Sequence, residues 1–200
     1  MGKIVLATII ISGSAKRLLK VGGNKEKWYG SDRIFMYVMT VLGAMAVNYS
    51  EQCTEYGWVV SNLRLLAGCL LAGGLLSAAY MDRRNCWVYN YVWWWCLPWA
   101  GILGLTAGGG FHGIVAVLVF VMLQQLLFSR MYGKADCHAF SVCALAECGN
   151  AVGMVGFLLQ MFLSVVLLTI VQLFRGNVTP RGRLREPQPF IPYIITAFFS

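Results

Sequence analysis

The chain has 200 residues, 58% of them hydrophobic and 12% charged, with a formal net charge of +8 and a mean hydropathy of +0.66. Soluble domains carry about 25% charged residues, so this composition excludes a soluble enzyme, a disordered chain and, despite the positive charge, a nucleic-acid-binding module. The charges fall in short clusters between long apolar runs, the pattern of a polytopic membrane protein with the lipid bilayer as its solvent.

Ile4 to Ser12 is a short apolar run. The sequence leaves three places open for it: an interfacial helix, a thin span, or the remains of a signal-like segment. A basic stretch follows it, not a small-residue cleavage site, which argues against a cleaved signal. With that stretch it forms an N-terminal unit, residues 1–33, ahead of a membrane-embedded domain, residues 34–200. A span needs about 20 apolar residues, and runs at 34–50, 58–80, 87–106, 111–129 and 151–174 qualify. A shorter run, Cys137 to about Glu147, enters after Asp136 and stops at the turn signal Cys148-Gly149-Asn150. Pro189 to Ser200 is too short to cross comfortably. The expected fold is all-α: a polytopic transmembrane helical bundle of about six spans, with short apolar segments at both ends.

The connections set the orientation. Residues 14–33, 81–86, 130–136 and 175–188 hold every basic residue except Lys3 and Arg64. The connections at 51–57, 107–110 and 148–150 hold none, and the two kinds alternate along the chain. By the positive-inside rule the basic segments are cytoplasmic, and Arg64 can snorkel outward from its span. The expected location is the cell membrane, multi-pass. The seven cysteines show no C-x-x-C spacing and lie mostly in or beside apolar runs, so small apolar packing is expected, not disulfides or zinc. Gly68, Gly73, Gly74, Gly101, Gly104, Gly153 and Gly156 lie in spans and are expected to permit close helix packing. Trp93, Trp94, Trp95 and Trp99 read as aromatic packing and interfacial anchors. Two histidines, His112 and His138, 26 positions apart, are weak evidence for a metal.

Of the eight acidic residues, Asp32 and most others read as solvated loop charges. Asp82 and Asp136 differ, because each sits where an apolar run meets a short basic turn on the same, cytoplasmic, side. A carboxylate at a membrane boundary is costly unless paired or functional. Pairing is one account: Asp82 with Arg83 or Arg84, Asp136 with Lys134. The other is catalytic. Two nearby carboxylates cannot both ionise easily; one stays protonated and polarises a carbonyl while the other activates water.

Gly133-Lys134-Ala135-Asp136 resembles the GxGD motif of membrane aspartyl peptidases. The chain is similar to the type IV prepilin leader peptidases and their archaeal preflagellin relatives. Asp82 to Asn90 resembles the family pattern D-x-R-x-x-x-I-P-N, keeping the Asp, a basic turn, a β-branched residue and the final Asn. Pro189-Phe190-Ile191-Pro192-Tyr193 resembles its late P-F-x-P-F segment. Three positions depart: Ala135 stands for the second glycine, His138 for the usual Lys, and Tyr89 for the Pro before Asn90. No paired C-x-x-C loop occurs, as in a short form carrying the peptidase core alone.

The resemblance implies an aspartic endopeptidase that removes a short basic leader from a prepilin or pilin-like precursor, with its site facing the cytoplasm. Asp82 and Asp136 would be catalytic. Gly133, Lys134, Ala135, His138, Asn90, Pro189 and Pro192 would support the motifs, and no metal or cofactor is implied. The partners expected are the precursor and the bilayer. Two other readings use the same residues: an ion- or proton-coupled transporter, with carboxylates near the midplane, and a non-enzymatic pilus or secretion assembly factor.

Overall fold

A computed structural model describes residues 2–21, 30–52, 57–108, 111–130, 133–147, 151–174 and 189–198. The described residues are helical apart from short connections, without strands. The helices are α1 (Gly2–Val21), α2 (Gly30–Gln52), α3 (Trp58–Asn85), α4 (Asn90–Thr106), α5 (Phe111–Leu126), α6 (Lys134–Glu147), α7 (Ala151–Phe174) and α8 (Ile191–Phe198), with a 3-10 turn at Phe128–Arg130. Cys53, Cys148, the Gly-Asn turn at 148–150 and the basic segment 175–188 lie outside the described residues.

α3 is the central element. Residues 71–82 are all buried, and a helix apolar on every side needs neighbours on every side. Its glycines admit them: a Cβ at Gly73 would collide with Ser14 of α1, one at Gly74 with Cys96 of α4, and one at Gly68 would press on Val47 of α2. The expected role of glycine in close packing holds at these three positions. It fails at Gly101 and Gly156, where a Cβ would meet open space. Cys69, Cys96, Cys137 and Cys143 are buried free thiols, as small packing groups would be.

Hydrogen bonds between helices fix the directions. Ser77 Oγ donates to the Ala15 carbonyl at 3.3 Å, and Tyr91 Oη to the Leu18 carbonyl at 2.8 Å. Arg83 lies over the Phe35 ring, 4.7 Å from its centroid. The C-terminal ends of α1 and α3 therefore meet the N-terminal ends of α2 and α4. At the opposite end Arg64 Nη1 donates to the Leu103 carbonyl at 3.1 Å and to Thr106 Oγ1 at 2.9 Å. A cation there opposes the negative end of α4, so Arg64 is anchored on a neighbouring helix.

Two expectations change. The basic stretch from residue 14 is helical as far as Val21: Ala15, Leu18 and Leu19 continue the buried stripe of Ala7 and Ile11, while Lys16, Arg17 and Lys20 stay exposed. The N-terminal run is thus a 20-residue helix packed on α3. Asp32 is not a solvated loop charge. It is 7% exposed, in the first turn of α2, where a carboxylate suits the helix dipole, and its Oδ2 lies 3.7 Å from Arg84 Nε.

Among the described residues two helices are long and apolar enough to cross a membrane. They are Trp58–Asn85 and Val155–Phe174, with mean hydropathies of 1.7 and 2.3. α4, α5 and α6, at 17, 16 and 14 residues, are shorter than the usual span of about 20. The outward faces of α5 and α7 are apolar: Leu118, Met122 and Leu126 on one, Leu159, Phe162 and Leu173 on the other, are all exposed.

Candidate functional site

Asp82 sits in the last turn of α3. The helix closes when Cys86 turns left-handed (φ 49°) and its N–H donates to the Asp82 carbonyl at 2.8 Å. This is the cap usually made by glycine. The side chain of Asp82 points inward, and the residue is 6% exposed. Its Oδ2 accepts the backbone N–H of Ile191 at 3.0 Å, a buried bond. Ile191 is the first residue of α8, so the carboxylate lies at the positive end of that helix. The Pro-Phe-Ile-Pro-Tyr segment explains itself in this setting. Pro192, in the first turn, has no N–H to offer and needs none. The Phe190 carbonyl then receives the N–H groups of Tyr193 (2.9 Å) and Ile194 (3.3 Å), while the Phe190 ring packs edge-on against Phe140, 5.6 Å between centroids.

Asp136 sits in the first turn of α6. Its Oδ2 accepts the N–H of Gly133 at 3.2 Å, and the Gly133 carbonyl receives the N–H of Cys137 at 3.1 Å. An acidic side chain reaching back to the residue before the helix is half of a capping box. A Cβ at Gly133 would stand 3.1 Å from that same Oδ2, so the glycine leaves room for the carboxylate to fold back. Burial pushes the Asp136 carboxyl up from 3.8 to about 7, and the charge of Asp82 pushes in the same direction; the Gly133 hydrogen bond opposes them. Two aspartates 54 positions apart in sequence thus feel each other at one end of the bundle.

The other expected residues divide. Gly133 and the half-buried Ala135 belong to the start of α6, which carries Asp136, while Pro189 and Pro192 flank the α8 N-terminus that meets Asp82. Lys134 is the exposed first residue of α6. His138 turns to other partners: its Nδ1 lies 3.3 Å from Gln125 Nε2 of α5, and its ring 6.0 Å from that of Trp93. Asn90 is exposed at the start of α4, and among the described residues no hydrogen bond ties it to the aspartates. Arg84 pairs with Asp32 and also bonds Tyr80 Oη at 3.1 Å, so the arginines beside Asp82 have partners of their own. Gln125 and Asp32 escaped the sequence reading. The signal for Gln125 was a polar pair, Gln124-Gln125, inside an otherwise apolar run. Among the described residues no three His, Cys, Asp or Glu side chains gather as a metal-binding group.

No family model, curated protein or solved structure matches the chain.

Proposed function

We propose that the chain is a multi-pass membrane aspartyl endopeptidase, cutting a short basic leader from prepilin or pilin-like precursors at the cytoplasmic face. The observation that carries this reading is that the N-terminus of α8 meets the Asp82 carboxylate at the end of the bundle where Asp136 opens α6. The three segments that resemble the prepilin peptidases supply these three parts. Asp82, facing an N–H donor and a positive helix end, acts as the ionised base that takes a proton from water. Asp136, the partner carboxyl, holds the proton that polarises the scissile carbonyl.

Several features support the membrane setting. Lys16, Arg17, Lys20, Arg33, Arg83, Arg84 and Lys134 all lie in the helix portions nearest the aspartate end, as expected of a cytoplasmic face. The apolar outer faces of α5 and α7 suit lipid. Carboxylates at the helix ends, away from the midplane, favour a peptidase over an ion-coupled transporter. A precursor would present the bond between its basic leader and its apolar helix at that depth.

The test is co-expression of the intact chain with small pilin-like precursors, followed by mass measurement of the product. Loss of the leader mass at one defined bond is expected. Unprocessed precursors across a panel with Gly at the leader's end, with the chain present in the membrane, would reject the activity.

A further inference from the structure

A cavity of about 510 Å³ lies between α1 and α2, on helices that supply neither aspartate. Thr8, Ser12 and Lys16 line it from α1; Arg33, Met36, Tyr37 and Thr40 line it from α2. The spacings are i, i+4, i+8 on one helix and i, i+3, i+4, i+7 on the other. Each set is one stripe of a helix, so the groove runs lengthwise along the pair.

Its walls are more apolar than their residue types suggest. Thr8 Oγ1 donates to the Ile4 carbonyl at 2.8 Å, Ser12 Oγ to the Ile9 carbonyl at 3.2 Å, and Thr40 Oγ1 to the Met36 carbonyl at 2.6 Å. Each hydroxyl proton is already used within its own helix. The charge is confined to one end. α1 and α2 are antiparallel, so Lys16, late in α1, and Arg33, early in α2, both belong to the aspartate end. Both are exposed, and among the described residues neither carries an ion pair.

We infer that this groove holds an acyl chain of an anionic phospholipid, with the headgroup phosphate between Lys16 and Arg33. Two cations at the mouth of an apolar channel match a phosphate above a hydrocarbon tail. The depth fits as well. Thr8 to Lys16 covers about 12 Å of helix, against roughly 15 Å for one leaflet of the hydrocarbon core. The same cations disfavour a precursor's helix as the occupant, because its basic leader would lie against them. The inference rests on the membrane orientation proposed above and not on the peptidase chemistry.

The experiment is native mass spectrometry of the purified full chain in detergent, supplied with equal amounts of phosphatidylglycerol and phosphatidylcholine of matched acyl chains. Preferential retention of phosphatidylglycerol is expected. Lys16→Gln and Arg33→Gln should each lower that preference roughly fivefold, and Lys16→Arg should keep it. Ser12→Phe, which fills the groove, should remove retention of both lipids. Lys20→Gln, on a neighbouring exposed position, should change nothing. Equal retention of the two lipids by the unaltered chain would overturn the site. So would a preference that survives the Lys16→Gln/Arg33→Gln double variant, or one that falls as far with Lys20→Gln as with Lys16→Gln. None of these readings depends on cleavage, so a failed peptidase assay leaves them intact.

Discussion

The backbone N–H of Ile191 donates to Oδ2 of Asp82 at 3.0 Å, joining positions 109 residues apart. The bond is buried, and it docks α8 onto the end of α3. Ile191→Pro deletes the donor at a first-turn position where proline's fixed φ is acceptable. A hydrogen bond to a charged group contributes about 1.5–3 kcal/mol, so this variant should lose about that much stability. Ile191→Val trims the same buried side chain and keeps the N–H, at a cost of about 0.5–1.5 kcal/mol. Thermal unfolding of both in detergent, beside leader cleavage, separates the two effects. Equal behaviour of Pro and Val would show that the N–H contributes nothing.

The proposed division of labour between the aspartates makes each indispensable. Asp82→Asn removes the base and Asp136→Asn removes the carboxylic acid, so each should lower kcat by roughly 100-fold or more while leaving the chain in the membrane. Both changes are nearly isosteric. Membrane fractionation and the mass of a co-expressed precursor check the two halves of this expectation. Near-normal cleavage by either variant rules out the dyad.

Asp136 also couples stability to pH. Its carboxyl is raised from 3.8 to about 7, first by burial and second by the charge of Asp82. Between those values the folded chain holds a proton that the unfolded chain has released. The stabilisation is therefore complete below about pH 4 and is lost as pH rises through about 7. Asp136→Asn cannot lose a proton, so its Tm should fall less between pH 5 and 8 than that of the unaltered chain. In Asp82→Asn the carboxyl of Asp136 should titrate lower, yet stay above its ordinary value, because burial is the larger cause. Infrared measurement of the carboxyl stretch against pH would show this. An Asp136 titration unmoved by Asp82→Asn would mean that the two groups do not interact.

The helices were legible in the sequence where apolar runs were long and bounded by turn residues, as at 58–80 and 151–174. α1 was not, because Lys16, Arg17 and Lys20 masked a buried stripe that continues through Ala15, Leu18 and Leu19. Charge counts along the chain cannot show which side of a helix the charges occupy. The two aspartates stood out as carboxylates at the ends of apolar runs. Their supporting bonds were invisible. Backbone N–H groups carry no sequence signature, and the partner of Asp82 lies in α8, which only tertiary packing brings near. The Arg84–Asp32 pair escaped for the same reason. Asp32 looked like one more loop charge until the turn of α2 placed it beside α3.

Close packing on α3 depends on Gly73, where an added Cβ would collide with Ser14 and press on the Ile11 carbonyl. Ser14 cannot swing aside freely, since its Oγ donates to Ile11 at 3.0 Å. Gly73→Ala should therefore destabilise by about 1–3 kcal/mol, as overpacking does, despite alanine's better helix propensity. Ser14→Ala in the same chain removes the hydroxyl but leaves the Ile11 carbonyl in place, so rescue should be partial. Thermal unfolding of the single and double variants measures the coupling. A neutral Gly73→Ala would mean that α1 does not pack on α3 at this point.

The last prediction concerns which way the site faces. Lys134, the exposed first residue of α6, lies at the aspartate end; Gly57 precedes α3 at the opposite end, with open space around the position of a Cβ. Cysteine fits both positions. The proposed orientation, drawn from the basic helix ends by the positive-inside rule, puts Lys134 inside and Gly57 outside. In a variant cleared of its own cysteines, Gly57→Cys should react with a membrane-impermeant thiol reagent in intact cells. Lys134→Cys should react only after the cells are opened. The result bears directly on function, because a leader retained in the cytoplasm can be cut only from that side. Labelling of Lys134→Cys from outside would place the aspartates on the wrong face for any leader peptidase, whatever their chemistry.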